Sequence, residues 1–251
     1  MIDSVLVGSK GRYQVISAED GNTTFHTKQL ILLNQDNKTL IGKLWENPNA
    51  RWYQSHALIS QIQERYGTSN YVSSVIDHGE TRSYGFVVFS PSKGKTVEEL
   101  VYDENTPISE DDQKRILLNG AAGLHYFHER NVIHGDATGE NLKARDGHFQ
   151  WIDFDILEDV SSARRVQQNA IGTPAYMAPE VWCGKRLPQS DVYAFGIVMY
   201  EVLTGNHPFG ELEETSMECA RQHFSIVPAR IETVSSKLAN IVAKSLEKSK
   251  N

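Results

Sequence analysis

Cysteine is scarce in this 251-residue chain: only Cys183 and Cys219 occur, 36 positions apart and outside any CxxC or Cys/His grouping. That scarcity excludes a disulfide framework and a structural metal such as zinc, and it suits a reducing cytosol. Long apolar runs are missing too. The longest apolar-rich stretch, AFGIVMYEVL, is too short to cross a bilayer, and the opening MIDSVLVGSKGRY lacks the basic start and apolar block of a signal peptide. Excess positive charge is also absent, since 25 Lys and Arg against 32 Asp and Glu give a net charge of −7. Such a chain has no global attraction to nucleic acid or to anionic membranes. A soluble, cytoplasmic protein with neither of those partners is expected.

What is present is ordinary globular material: 39% apolar and 23% charged residues, enough to bury a sizeable core in one domain or two packed lobes. There is no internal repeat and no low-complexity segment. From Tyr13 to Phe89 the texture is strand-like, with RYQVIS, KQLILLN and TLIGKLW separated by the turn-rich AEDGN and NQDNK. Residues 49–66 break that pattern, because Leu58, Ile59, Ile62 and Tyr66 recur at helical spacing just after Pro48. After the polar bridge SPSKGK (90–95) the texture turns helical. Ser109 caps a helix with an acidic first turn and Ile116, Gly120, Leu124 and Phe127 on one face, and SDVYAFGIVMYEVLTG reads as a buried helix ending at Gly205. The expected fold is α+β and bilobal: residues 1–89 form a small antiparallel β-sheet lobe with one helix, 90–95 a hinge, and 96–251 a larger, mainly helical lobe.

The stretch IHGDATGENLKARDGHFQWIDFD (133–155) gathers Asp136, Asn141 and Asp153 among glycines on either side of a strand-like run. Singly, such residues form turns. Together, their hard oxygen donors suit a hard divalent cation.

These residues resemble the protein-kinase family. IHGDATGENL is similar to its catalytic loop, IDFD to its metal-binding motif, GTPAYMAPE to the end of its activation segment and SDVYAFGIVMYEVLTGNHPF to its central buried helix. The resemblance implies ATP and Mg2+ as cofactors and a protein as substrate. It places Asp136 as the catalytic base, Asn141 and Asp153 as metal ligands, and Lys43 in TLIGKLW as the strand lysine that steadies the α and β phosphates. Thr173 resembles the threonine that bonds the catalytic aspartate in Ser/Thr-directed members. Gly21 belongs to the remnant of the phosphate-covering loop, and Glu64 is the acidic residue of the helix on offer to pair with Lys43. Asp191 resembles the buried aspartate that anchors the catalytic loop, and His134 reads as a brace for that loop. Glu180 resembles the acid that pairs with a late arginine, which would come just beyond SLEKSKN, so the chain reads as truncated at its C-terminus. Phe154, Trp182 and Tyr193 read as core.

Several positions depart from the family pattern. In GNTTFH, Gly21 and Phe25 match the glycine-rich loop, but Thr23 and His26 replace glycines. Gly135 replaces the arginine on which a phosphorylated activation segment docks, so activity should not need that phosphorylation. Thr138 stands where Ser/Thr-directed members place a lysine. Asp155 replaces the glycine that ends the metal motif, and either restricts backbone rotation or adds a metal ligand. Ser161 and Ser162 read as solvated loop residues. Three functions follow from this mixture: divergent ATP/Mg-dependent phosphoryl transfer to Ser or Thr of proteins, a pseudokinase module that binds nucleotide or scaffolds, or a small-molecule phosphotransferase of the aminoglycoside or choline type. The segment GTPAYMAPE argues against the third.

Overall fold

The computed structural model describes residues 4–20, 27–46, 51–163, 171–210 and 215–248. The chain divides into two compact units, residues 1–93 with 153–157, and residues 94–152 with 158–251.

The first unit is built on an antiparallel sheet of β1 (Val5–Val7), β2 (Arg12–Asp20), β3 (Thr27–Leu33), β4 (Thr39–Trp45), β5 (Val75–Glu80) and β6 (Gly85–Phe89), in the order β1-β2-β3-β4-β6-β5. The period of two along each strand sorts its residues by face. Leu30, Leu32, Leu40, Leu44, Phe86 and Val88 fill one side with Leu6 and Tyr13. Gly42 is needed in that layer, since a Cβ there would meet the Leu32 side chain at 2.8 Å. Lys43 therefore points to the opposite side of β4. The helix α1 (Arg51–Tyr66) belongs to this unit and buries a face that is largely polar: Ser55, His56, Ile59, Ser60, Ile62 and Gln63. Gln63 fastens it to the sheet, donating to the Ser73 carbonyl at 2.8 Å and accepting from the Val75 N–H at 2.9 Å. Tyr66, expected on that face, is exposed instead. At the sheet edge the buried Asp77 accepts hydrogen bonds from Ser9 Oγ, the Lys10 N–H, the Tyr13 hydroxyl and the His78 N–H.

The second unit is mainly helical. Its short α2 (Val97–Val101) starts in a capping box in which Thr96 and Glu99 satisfy each other's backbone. In α3 (Glu110–His128), Ser109 caps the helix as expected, accepting from the Asp112 N–H at 3.1 Å, and Ile116, Gly120, Leu124 and Phe127 are buried. Next come β7 (Val132–Ile133), the hairpin β8 (Leu142–Arg145) and β9 (His148–Trp151), and β10 (Glu158–Asp159), which pairs with β7. Asp146 and Gly147 turn the hairpin with φ of 48° and 82°, the left-handed pair that a two-residue loop requires. The remaining helices are α4 (Val160–Ala163), α5 (Pro179–Trp182), α6 (Pro188–Thr204), α7 (Ser216–Ser225) and α8 (Ser236–Ser245). The α6 helix is apolar on nearly every side and stops at Gly205, which caps it with φ 71°. Where α3 crosses α6, Gly120 lets the Phe195 ring approach so closely that a Cβ would lie 2.4 Å from it, and the Gly120 carbonyl accepts from Trp151 Nε1 at 2.8 Å.

Two acids are buried in this apolar helix, Asp191 in its first turn and Glu201 near its end. Glu201 is 3% exposed and accepts hydrogen bonds from the hydroxyls of Tyr102 (2.9 Å) and Tyr176 (2.9 and 3.2 Å). Burial, reinforced by Glu98, outweighs those two donors and pushes its carboxyl up to about 7. The fold thus favours its protonated form. That contribution to stability is complete below the ordinary glutamate range and is lost as pH rises through about 7. Glu201→Gln should remove this loss, gaining on the order of 3 kcal/mol relative to the unchanged chain between pH 5 and 8. Urea unfolding of both proteins across that range checks it. The difference between them isolates Glu201 from His207 and His223, whose depressed values act in the opposite sense.

Candidate active site

In the first unit the site grows from β4. Lys43 leaves the strand on the side away from the leucine layer, near the Trp45 ring, 5.7 Å from its centroid. The segment 153–157 is drawn into the same unit by Phe154, which is fully buried between His56 and Phe89, at centroid distances of 5.9 and 6.5 Å. Its burial fixes the acids on either side. Lys43 Nζ lies 2.9 and 3.1 Å from the two carboxylate oxygens of Asp153 and 2.5 Å from Asp155 Oδ2. Asp153 takes the left-handed backbone region, with φ 56°. Burial works against the charge on Lys43, but the two carboxylates more than offset it and hold the ammonium above its ordinary value. Desolvation likewise opposes ionisation of Asp153, and Lys43 reverses that, keeping its carboxyl below the usual range. Asp155 goes the other way: burial first, then the neighbouring Asp153, pushes it up to about 7.

In the second unit the catalytic-loop stretch hangs from Asp191 on α6. That carboxylate is 1% exposed and accepts from the N–H groups of His134 and Gly135 and from His128 Nε2, each at 2.8 Å. Gly135 sits in the left-handed region with φ 85°, where a side chain would be strained. His134 is fully buried against Phe127 and Trp151, and its Nδ1 accepts from the Asp136 N–H at 3.3 Å, which makes it a brace. The Asp136 carboxylate is held at both oxygens. Oδ1 accepts from the Thr173 N–H and Oδ2 from Asn141 Nδ2, each at 3.0 Å. Asn141 Nδ2 also donates to the Asp136 carbonyl at 3.0 Å, so both amide hydrogens are spent inward and Oδ1 remains as an oxygen donor.

The sequence-derived residues fare differently. Lys43 and Asp153 are together, as are Asp136, Asn141 and Thr173, although Thr173 makes its bond through the backbone N–H rather than the hydroxyl. Thr138, at the position of the missing lysine, is buried at 1% exposure. Gly21 and the rest of GNTTFH lie outside the described residues. Glu64 needs correction as the partner of Lys43: it forms an ion pair at 2.9 Å with Lys10, where both side chains are half exposed. The helix supplies the reason. Eight residues separate Glu64 from the buried His56, and that spacing turns it about 80° around the axis and about 12 Å along it. His56, a polar residue that apolar spacing does not mark in the sequence, is 0% exposed with Nδ1 3.7 Å from Asp155 Oδ1. Asp155, read as a brake or a metal ligand, is an ion-pair partner of Lys43. His56, Asp153 and Asp155 each also offer a ligand atom, all within 4.8 Å of one another. Glu180 accepts from Ser190 Oγ at 2.8 Å.

The model of the protein kinase domain matches residues 21–251. The chain belongs to the protein kinase family. It is 29% identical over 184 residues to a probable serine/threonine-protein kinase PknB of Lactococcus lactis, covering 70% of this chain and 29% of the relative. It is 34% identical over 139 residues to the serine/threonine-protein kinase PknL of Mycobacterium tuberculosis, covering 54% and 35%. With the serine/threonine-protein kinase Nek3 of Mus musculus the identity is 25% over 212 residues, covering 80% and 37%. The matched region thus spans roughly a third of each of these relatives. No described helix is long and apolar enough to cross a membrane.

Asp191 offers a direct check on this scaffold. Replacing it with Ala strips the His134 and Gly135 N–H groups and His128 of their shared acceptor, so unfolding free energy should fall by about 3 kcal/mol. Denaturant midpoints of the two proteins measure it, and Asp191→Asn, which keeps one acceptor oxygen, should lose less.

Proposed function

We propose that this chain transfers the γ-phosphoryl group of ATP, with magnesium, to Ser or Thr hydroxyls of protein substrates. The observation that carries the reading is the state of Asp136, a carboxylate held at both oxygens by a backbone N–H and an amide. A base fixed in this way can orient and deprotonate a hydroxyl without first having to be ordered. In this reading Lys43 steadies the phosphates, as a compact point charge does well. The donor set fits the cofactor: Asn141 Oδ1 and the Asp153 carboxylate are hard oxygens suited to Mg2+, which would neutralise charge on the phosphates when bound. Residues 1–89 act as the nucleotide-covering lobe, 90–95 as the hinge and 96–251 as the lobe that receives the substrate. Gly135 leaves no arginine for a phosphorylated segment to dock on, so the activity is independent of that modification.

A second reading, nucleotide binding without useful transfer, is favoured by one observation. Thr138 is buried and brings no cation to the catalytic loop, and loss of one preorganised charge contact costs on the order of a hundredfold in rate.

Two measurements test the proposal. Mg-ATP at about a hundred times its dissociation constant should raise unfolding free energy by about 2.7 kcal/mol, and chelating the magnesium should abolish most of that gain. Transfer of radiolabelled phosphate to a generic protein acceptor should fall at least about a hundredfold in Asp136→Ala while the Mg-ATP stabilisation survives. Transfer that is indifferent to Asp136→Ala would refute the assigned role. Stabilisation with no transfer by the unchanged chain would establish the second reading.

A further inference from the structure

A lysine that presents its ammonium to phosphate must be held in place by an anion. In this chain the helix that faces it brings none. From α1 the cluster meets His56, whose ring is fully enclosed by Trp45, Phe89 and Phe154 at centroid distances of 4.7, 5.6 and 5.9 Å. The anion comes from the chain segment that carries Asp153. Asp155 is 6% exposed, sets Oδ2 2.5 Å from Lys43 Nζ and turns its buried Oδ1 toward His56 Nδ1 at 3.7 Å.

Asp153 cannot fill this role alone. Its side chain is 39% exposed, against 8% for Asp155, and the reading above gives it to the metal. A lysine leaning only on Asp153 would lose its partner whenever that carboxylate turned to a cation. Asp155 is almost fully enclosed and gives its Oδ2 to Lys43, so this partner stays in place when Asp153 turns to a cation. We propose that Asp155 is the positioning residue for Lys43, taking over from residue 155 the hold that a helix carboxylate would otherwise supply from position 56, with His56 backing its second oxygen. The lysine and the metal ligand are then governed by one short segment fixed by Phe154, and the aim of Lys43 does not depend on an acid in α1. This inference rests on the phosphate-holding role of Lys43 given above.

A carboxylate exchange tests it. Asp155→Asn should weaken Mg-ATP binding, read from the dissociation constant and from KM for ATP, by about tenfold. His56→Glu alone should lower Tm, because a third buried carboxylate then competes for one ammonium. Combined in one chain, the two changes should recover most of the lost nucleotide affinity, which a merely structural role for Asp155 could not produce. Unchanged Mg-ATP affinity in Asp155→Asn, or a well-folded double variant that stays weak, would overturn the proposal.

Should the buried glutamate prevent folding, a nucleotide-free cycle still decides. Tm is measured for Lys43→Met, Asp155→Asn and both together. The combined loss should be clearly smaller than the sum of the single losses, because each change breaks the same pair. Additive losses would refute the hold. If the unchanged chain ignores Mg-ATP, the proposed function fails, while this cycle still reports on Lys43 and Asp155.

Discussion

A buried ammonium must be neutralised where it stands, and much of the first unit is organised around that demand. Lys43 is 14% exposed, so it cannot rely on water for its charge. The leucine layer on one side of β4 sends Lys43 to the other. Phe154 seats the acids that meet it there. The distances of 2.5 to 3.1 Å to Asp153 and Asp155 are the result of sheet pleat and aromatic packing acting together.

Two carboxylates on one ammonium leave an excess of negative charge, and the excess falls on the more deeply buried acid. Asp155 is pushed up to about 7, whereas Asp153 is held below its usual range. Such a split gives neighbouring acids different duties. Asp153 stays charged and partly open to a ligand, and Asp155 is turned inward between Lys43 and His56.

The second unit solves a different problem, the fixing of a loop. Residues 134–141 have little regular structure, yet each important group in them is tied down. Asp191 reaches from a buried helix to gather two backbone N–H groups and His128, His134 wedges beneath Asp136, and Asn141 and Thr173 hold the Asp136 carboxylate. Buried polar networks of this kind hold their geometry through satisfied bonds, and these bonds set the position of Asp136. Gly135 contributes by accepting a backbone angle that the family's arginine would adopt only with strain.

The sequence by itself determined the pattern: strands in the front, helices behind, the Ser109 cap, the stop at Gly205, and the ordered motifs that mark the family. These are local signals, written in period, capping and motif spacing, and no distant contact is needed to read them. Only tertiary structure decided which charge answers Lys43. The apolar spacing of Leu58, Ile59, Ile62 and Tyr66 marks the helix, but the face it buries is largely polar, and its serines, His56 and Gln63 carry no hydropathy signal. Glu64 was the only acid in view on that helix, and its rotation sends it to Lys10. Asp155 lies 112 positions beyond Lys43, and a pairing at that distance is set by packing rather than by either residue's neighbours.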